Sequence, residues 1–532
     1  MKYFKHCILP LLTLISVMCS CGPNDPEPTP TPDPTPKAPT AVTLSKTSVD
    51  APAEGGTYDI TVKSPFDPQV KDKPSWVTVS NAKVENYTYT VTVIVEAQSV
   101  GASAREATLT FEATGATSAT LKISQAKGQE PEPPAPGYDG LASFFGLGWN
   151  LGNQFDAYYN GSWAGDKEGY PDETCWMPDP KDEYKATQAT FDGLKNLGFT
   201  SVRIPVSWLK MIGDAPDYKI NEEWLNRVYT VAQYAHTAGL KVIVNTHHDE
   251  NHGTSNSYEW LDIKNAANNA ELKNQITTKI TAVWKQIATK FADCGDDWLL
   301  LEGFNELNDG KWGGSPDAEI QKQCAVLNEW NQAFVNAVRA TGGNNATRWL
   351  GVPTYCASPS FTGSKYFTLP NDTAGKLAVA VHSYDPYDYT IGDAQYPEWG
   401  HTGTAGKKPA AGEEQTKQLY SKLYSDFVAK GIPVYMGEFG CSMRSKSDTH
   451  AWAFYKYYME YVVKAAKTYC IPCFLWDNNG EGAGKEKHGY VHHGKGTPIG
   501  NSKEVIDVMK KAWFTESEGY TLETVYNSAP KF

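Results

Sequence analysis

Two apolar runs that each end in a carboxylate stand out in the hydrophobic pattern of the chain. Residues 298–306, WLLLEGFNE, begin with four apolar side chains and end in Asn305 and Glu306. Residues 432–440, IPVYMGEFG, repeat this arrangement and carry Glu438. A near-continuous apolar run of this length is typical of a parallel strand that is buried on both faces. The pattern therefore predicts two parallel strands, each with one Glu at its C-terminal end.

Strand and helix patterns alternate in the same way across residues 138–532. Strands are predicted at residues 144–150, 201–206, 241–245, 298–303, 348–353, 377–382, 433–437 and 471–476. Helical spacing fits residues 183–197, 224–238, 270–292, 320–341, 413–430 and 449–468 and a last segment from residue 502, whereas residues 358–376 read as a loop. This order predicts an α/β fold, a (β/α)8 TIM barrel, whose active site lies at the C-terminal ends of the strands.

A different pattern precedes the barrel. Residues 40–127 contain short strands of alternating polar and apolar side chains, such as TYDITVK and ATLTF, which Gly, Pro and Asn separate. This pattern predicts a small all-β module. Residues 21–39, rich in Pro and Thr, and residues 128–137 are interpreted as linkers, the first of them extended and semi-rigid.

The first 20 residues have the features of a targeting segment. Lys2 and Lys5 precede a short apolar stretch at residues 8–17, which is too short to span a membrane. Residues 18–21, MCSC, resemble a bacterial lipobox, which implies cleavage before Cys21 and lipidation of that residue. Asp25 and Glu27, just after this motif, resemble the acidic residues that accompany outer-surface export in Bacteroides-type bacteria. We therefore expect an outer-membrane lipoprotein at the bacterial cell surface. Ordinary secretion with free release is the alternative.

Charge and cysteine content narrow the function classes. The formal net charge is −13 and no basic cluster follows the N-terminus. This argues against nucleic acid and against an anionic membrane surface as partners, so the lipid anchor is the only membrane contact that we expect.

The seven Cys outside the leader are scattered and odd in number, which implies no disulfide framework. The 16 Trp and 30 Tyr offer flat faces for sugar rings beyond those that form a core. We expect a monomer.

Polar and aromatic residues gather at the predicted strand ends. An Arg in an apolar strand must be paired, and such a partner keeps a carboxylate nucleophile ionised. A His, Tyr or Trp at one strand end is more often part of a core, but several strand ends that carry such residues together indicate a site. The residues are Arg203, His247, His248, Asn305, His382, Tyr384 and Trp476.

A metal site is an alternative for the segment after the third barrel strand. His247, His248, Asp249 and His252 are close in sequence and are residue types that bind zinc. Adjacent strand residues point to opposite faces, however, so these side chains would be difficult to arrange around one ion. The sequence contains no HExxH motif. We expect no metal and no cofactor.

The motifs RIPVSW, NTHHD, FNE, HSY, GEFG and FLW, in this order, resemble glycoside hydrolase family 5. GWNLGN at residues 148–153 and HHD are similar to its subfamily 4, which holds bacterial endo-β-1,4-glucanases and xyloglucanases. The resemblance implies a retaining mechanism, with Glu306 as acid/base and Glu438 as nucleophile. It also implies that a negative Glu438 raises the pKa of Glu306. The expected substrate is a β-glucan: xyloglucan, mixed-linkage glucan or a cellulose-type glucan.

The resemblance also implies roles for the remaining residues. Asn305 would hold the sugar 2-hydroxyl, Tyr384 would donate to the nucleophile, and Trp476 would lie under the sugar ring at the cleaved bond. His382 would lie near the acid/base, and Arg203, His247 and His248 would complete the substrate contacts. An endo-β-1,4-mannanase with the same residues stays open, as does a surface glycan-binding protein without catalysis. Residues 40–127 resemble a BACON domain through SWVTV at residues 75–79, Arg105 and ISQ at residues 123–125. This resemblance implies a small all-β, immunoglobulin-like sandwich.

Overall fold

The computed structural model describes residues 37–52, 55–96, 103–126, 138–253, 256–312, 317–392 and 396–532. The predicted targeting segment, Cys21, the first linker up to residue 36 and the second linker lie outside the described residues. The chain divides into two compact units, Met1–Glu130 and Pro131–Phe532. None of the described helices is long and apolar enough to cross a membrane.

The first unit consists of strands. They are β1 (Thr43–Leu44), β2 (Ser48–Ala51), β3 (Gly56–Lys63), β4 (Gln69–Lys71), β5 (Val77–Glu85), β6 (Thr88–Val95), β7 (Arg105–Glu112) and β8 (Ala119–Gln125). They form two four-stranded sheets, ordered β1-β3-β6-β5 and β2-β8-β7-β4. Apolar residues alternate along these strands, and those of both sheets meet in one buried cluster. Trp76 packs against this cluster, and the guanidinium of Arg105 lies 4.3 Å from its ring centre.

The second unit contains a closed parallel barrel. Its strands are β9 (Leu147–Asn150), β10 (Ser201–Ile204), β11 (Lys241–Asn245), β12 (Leu299–Glu302), β13 (Leu350–Pro353), β14 (Leu377–Ser383), β15 (Val434–Phe439) and β16 (Cys473–Leu475). The strands pair in chain order, and β16 pairs with β9 to close the ring. Almost every strand residue is buried because helices cover the outside and side chains fill the inside. The predicted TIM barrel is confirmed.

The first barrel strand is shorter than predicted. Residues 142–145 form a short helix, and the chain enters β9 only after Gly146, whose φ of 67° is accessible to glycine at little cost. Phe145 belongs to an apolar cluster with side chains from the barrel interior, including Ile243, Leu300 and Phe474. The apolar run in the sequence therefore combined a short buried helix with the strand that follows it.

Helices alternate with the barrel strands along the chain. They are Ala142–Phe145, Gln188–Leu197, Glu222–Thr237, Ile263–Ala266, Ala270–Lys290, Ala318–Arg339, Tyr387–Thr390, Glu413–Asp426, Thr449–Thr468, Ser502–Phe514 and Leu522–Asn527. Two predicted helices were too long: residues 181–184 and 428–430 are separate 3-10 turns. Residues 358–376 contain no α-helix, as predicted, and include a 3-10 turn at Pro359–Phe361.

Candidate active site

Arg203 lies at the centre of a buried polar network. It is the third residue of β10 and has no exposed surface. Its guanidinium donates to Glu302 at 2.7 Å and to Glu438 at 2.8 Å. It also donates to the side-chain oxygens of Asn150 at 3.0 Å and Asn305 at 2.7 Å. A buried charge is costly unless it is paired and hydrogen-bonded, and these contacts use the whole guanidinium fork.

Glu438, the fifth residue of β15, is held by one donor from β10 and by another from the residue that directly follows β14. One carboxylate oxygen accepts from Arg203 and the other accepts from the Tyr384 hydroxyl at 2.8 Å. The pKa of Glu438 is raised overall, with burial as the largest cause, although His382, Arg203 and the Tyr384 hydrogen bond act to lower it. Burial and the charge of Glu438 raise the pKa of Tyr384 well above its ordinary value, so this phenol stays a donor. These donors favour the ionised form of Glu438.

Glu306 follows β12 and has a different environment. Its Oε1 lies 2.6 Å from Nδ1 of His382. Burial, followed by the negative charge of Glu250, raises the pKa of Glu306 to about 7. Burial lowers the pKa of His382 to about 4, so the imidazole is neutral where Glu306 titrates. A carboxyl group that keeps its proton near neutral pH can act as a general acid. The charge of Glu438 was expected to raise the pKa of Glu306. The largest causes are instead burial and the charge of Glu250.

The two carboxyl groups are close to each other. One oxygen of Glu306, one oxygen of Glu438 and one ring nitrogen of His382 all lie within 4.8 Å of one another. His382 Nδ1 is 3.8 Å from Oε1 of Glu438. The ring therefore lies beside both carboxylates but is hydrogen-bonded to Glu306 only.

Glu302 is a member of the network that the sequence analysis did not identify. It is the last residue of β12 and is fully buried. In addition to Arg203, it accepts from Asn245 Nδ2 at 2.9 Å and from the Tyr435 hydroxyl at 2.6 Å. Burial opposes its charge, but Arg203 lowers its pKa overall. The signal was the Glu inside the apolar run LLLEGF, since a charge within a buried strand requires a partner there.

Trp476 and His247 line the other side of the site. Their rings are parallel within 5°, with centroids 6.0 Å apart. Burial lowers the pKa of His247 well below its ordinary value, so its ring is neutral. A Cβ at Gly152 would lie 2.7 Å from the Trp476 ring, which explains why glycine stands there. Asp477, which directly follows Trp476, accepts from the indole N–H of Trp149 at 2.8 Å and from the backbone N–H of Val491 at 2.7 Å. These contacts fix the position of the Trp476 indole.

His248 lies between two carboxylates. Its Nε2 is 3.8 Å from Asp156 and its Nδ1 is 3.4 Å from Glu250. Burial lowers its pKa, but the hydrogen bond and charge of Glu250, with the charge of Asp156, raise it to about 9. The ring of the half-buried His248 also lies 5.9 Å from that of Trp176. His248 is thus a protonated imidazole at neutral pH.

The alternative metal set of His247, His248, Asp249 and His252 is not assembled. Asp249 is turned away, where it accepts two backbone N–H groups and an indole N–H. Asp156, His247 and His248 instead bring one possible ligand atom each within 4.8 Å. The backbone N–H groups of Asn153 and Gln154 donate to Asp156, and Nε2 of His248 lies 3.8 Å from the same carboxylate. The expected absence of a metal stays a prediction.

Comparison with known proteins identifies the family. The model for cellulase, glycosyl hydrolase family 5, matches residues 162–482. The chain belongs to glycoside hydrolase family 5. Two curated relatives are similar to this chain. Endoglucanase A of Paenibacillus barcinonensis is 34% identical over 364 residues, 66% of this chain and 84% of that protein. A xyloglucan-specific endo-beta-1,4-glucanase of Bacteroides ovatus is 31% identical over 494 residues, 89% of this chain and 91% of that protein.

A solved structure of the same family is also similar. A GH5-4 broad specificity endoglucanase from Bacteroides salanitronis superimposes with a TM-score of 0.64 at 47% identity. The match covers 70% of this chain and 94% of that one. The family 5 resemblance drawn from the motifs is confirmed, and with it the assignment of the chain to the glycosidases. The BACON resemblance and the lipidation of Cys21 stay predictions.

Every family 5 motif residue predicted for the barrel lies in this one site. Arg203, Asn305, Glu438 and Tyr384 share one hydrogen-bond network. His382 is hydrogen-bonded to Glu306 and lies 3.8 Å from Glu438. His247 is linked to the network through Asn245, whose Nδ2 lies 3.3 Å from its Nδ1 and 2.9 Å from Glu302. Trp476 stacks on His247, and His248 packs edge-on against the same ring. The sequence pattern did not identify Glu302, Asp156 or Glu250.

Proposed function

We propose that this chain is a retaining, endo-acting glycoside hydrolase that cleaves internal β-1,4-glucosidic bonds of plant polysaccharide. The observation that carries the proposal is a pair of carboxyl groups in opposite environments. Glu438 accepts from a cation and a phenol, whereas the half-buried Glu306 lies beside a neutral imidazole. Their nearest oxygens lie within 4.8 Å. This supports the ~5–5.5 Å spacing of retaining enzymes against the ~6.5–9.5 Å that leaves room for a water.

In the first step, the ionised Glu438 attacks the anomeric carbon of the sugar that lies on Trp476. The glycosidic C–O bond breaks while Glu306 transfers its proton to the departing oxygen. If the Glu438 oxygen that Arg203 binds is the one that attacks, Tyr384 donates to the other oxygen of the same carboxylate. Asn305 accepts from Arg203 through its oxygen, which leaves its amide N–H groups for the sugar 2-hydroxyl.

In the second step, Glu306 has lost its proton and acts as a base. It takes a proton from a water molecule, the water oxygen attacks the anomeric carbon, and the ester bond to Glu438 breaks. The sugar is released with its original configuration, and Glu306 is protonated again. No step in this cycle requires an electron carrier or a metal.

The substrate proposal rests on the relatives. One is named for xyloglucan specificity and matches 89% of this chain, and another is titled a broad specificity endoglucanase. We propose a β-1,4-glucan, with xyloglucan first. The test is release of reducing ends from xyloglucan, barley β-glucan, carboxymethylcellulose and glucomannan by the full chain. Higher activity on glucomannan than on every glucan would refute the assignment in favour of a mannanase. No release from any of them would refute catalysis.

We also propose that the protein is anchored at the outer face of the outer membrane through a lipid on Cys21. The motif MCSC and the Pro/Thr-rich stretch after it support this, because a semi-rigid spacer would hold the enzyme away from the membrane. The BACON-like first unit would lengthen that spacer. The test is labelling with a fatty acid in the native host. We expect label on the wild-type chain and none on Cys21→Ala, and equal labelling of both would refute the proposal.

A further inference from the structure

A second buried polar network begins at Asp477, the residue that directly follows Trp476. Its side chain has no exposed surface. One oxygen accepts from the indole of Trp149 and from two backbone N–H groups, and the other oxygen accepts from the backbone N–H of Asn479 at 2.9 Å. Four N–H donors around one group are the pattern of a carboxylate, because a protonated carboxyl group must also donate.

A carboxylate in this position requires a cation. The described residues pair it with His493, whose Nε2 lies 3.3 Å from Oδ1 of Asp477. Both side chains are 0% exposed, so water does not screen either of them. An uncompensated charge at such a place is strongly destabilising. The charge of Asp477 is therefore balanced if the His493 ring is positive.

The hydrogen bonds of the His493 ring indicate that it is positive. Its Nδ1 lies 3.0 Å from Oε1 of Gln154. The orientation of this amide follows from its other end, where Nε2 donates to the backbone oxygen of Tyr184 at 2.6 Å. An acceptor thus faces Nδ1, and the Asp477 carboxylate, also an acceptor, faces Nε2. A ring with acceptors at both nitrogens carries two protons, which makes it an imidazolium.

Asp477 ties the end of β16 to β9. Trp476 lies just beyond the last pair of these two strands. The backbone oxygen of Asp477 accepts from Gly152 at 3.0 Å, and its carboxylate accepts from Trp149 at 2.8 Å. The Trp476 ring lies against Gly152, where a Cβ would be 2.7 Å from it. A displacement of Asp477 would therefore move the adjacent indole.

We propose that His493 is a positioning residue of the active site, an imidazolium that neutralises Asp477 and thereby holds the Trp476 indole where the reacting sugar binds. The inference rests on the proposed function for the sugar on Trp476. It assigns a role to a residue outside the motifs named above, and His493 itself does not contact the substrate. A neutral ring would leave a buried carboxylate facing either Nε2 or Gln154 without a proton between them.

The first test is 15N NMR of the histidine ring nitrogens in the full wild-type chain at neutral pH. The signals of His493 are assigned by their absence in His493→Gln, or in His493→Arg if the first variant does not fold. We expect two protonated nitrogens, and one unprotonated nitrogen would overturn the proposal. In Asp477→Asn the anion is gone, so the ring should become neutral. A ring that keeps both protons there would also overturn the pairing.

The second test follows the Trp476 indole by 19F NMR of the full chain labelled with 5-fluorotryptophan. Trp476→Phe assigns the signal. His493→Gln should shift it, and Asp477→Asn carries the same comparison if His493→Gln does not fold. On the glucan that the wild type hydrolyses fastest, kcat should fall about tenfold or more, because the sugar ring loses its attack geometry. KM should change little, since the other glucosyl units keep their contacts.

Asn345→Ala is the matched control. Asn345 is buried and accepts from another buried cation, Arg348, at 2.7 Å. Both residues precede β13 and so lie at the end of the barrel away from the active site. The control should lower the melting temperature and leave the Trp476 signal in place.

An unmoved Trp476 signal in the His493 variant, or an equal shift in the Asn345 control, would overturn the proposal. If the wild type hydrolyses no glucan, the proposed function fails. The two NMR measurements do not depend on activity, so they still decide whether His493 is an imidazolium that holds the indole.

Discussion

The hydrogen bond that Tyr384 donates to Glu438 should determine how the activity depends on pH. Tyr384→Phe removes a donor 2.8 Å from the carboxylate and leaves the ring in place. The ionised form of Glu438 loses a stabilising contact, while its protonated form loses little. The pKa of Glu438, already raised by burial, should therefore rise further.

The magnitude follows from the charge on the acceptor. A hydrogen bond to a charged group contributes about 1.5–3 kcal/mol. Because one pKa unit corresponds to about 1.36 kcal/mol, the pKa of Glu438 should increase by about 1–2. The nucleophile is active only when ionised, so activity is present above this pKa and is lost as the pH falls through it. Glu306 must be protonated, so activity is lost as the pH rises through about 7.

The assay is kcat/KM on a soluble β-glucan between pH 4 and pH 9, since this ratio reports the pKa values of the free enzyme. The acidic limb should move to higher pH by about 1–2 units in Tyr384→Phe, and the alkaline limb should stay near pH 7. Tyr389→Phe is the matched control. Its buried hydroxyl has no hydrogen-bond partner among the described residues, so its loss should move neither limb.

Two results would refute this reasoning. If the acidic limb of Tyr384→Phe coincides with that of the wild type, Tyr384 does not stabilise the ionised nucleophile. If the alkaline limb moves while the acidic limb stays, the roles given to Glu306 and Glu438 are reversed.

Three further predictions concern chemistry, stability and modularity. With an activated aryl glycoside and azide, Glu306→Ala should give the β-glycosyl azide and Glu438→Ala the α-glycosyl azide, as measured by NMR of the products. The opposite outcome would make Glu306 the nucleophile and Glu438 the acid/base. Glu302→Ala should lower the free energy of unfolding in urea by about 3–5 kcal/mol, because it breaks a buried ion pair. The control Glu271→Ala, at the exposed start of a helix, should change that free energy by less than about 0.5 kcal/mol. Equal effects of the two substitutions would contradict a stabilising role for Glu302. Deleting residues 1–137 should leave kcat on soluble xyloglucan unchanged, and loss of folding or of most activity would show that the two units depend on each other.

The barrel and its polar strand ends could be predicted because both are local in sequence. An apolar run followed by a polar residue gives the strand and the place where its chemistry lies, as for Glu306 and Glu438. The first strand was predicted too long because the buried helix at residues 142–145 has the same apolar composition as the strand. Composition does not distinguish a short buried helix from a strand.

Contacts that depend on packing between distant segments could not be predicted. Glu250 raises the pKa of Glu306 from another strand end, and Asp156 meets His248 across 92 positions in the sequence, from 156 to 248. The reasoning that adjacent residues face opposite ways also failed for His247 and His248. They follow β11 rather than lie in it, so the alternation of a strand does not apply to them. Their rings are 4.4 Å apart.

The position of Arg203 between Glu302 and Glu438 has a consequence for the covalent intermediate of the proposed cycle. When Glu438 becomes an ester, it loses its charge and Arg203 loses one of its two anions. Glu302 remains 2.7 Å away, so the buried cation is still neutralised while the sugar is attached. Before the reaction, the single positive charge of Arg203 faces the two carboxylates of Glu302 and Glu438, so one negative charge is in excess. That charge can be assigned to Glu438, the nucleophile. The resting enzyme thus holds an anion that is only partly compensated, and the intermediate holds a balanced ion pair.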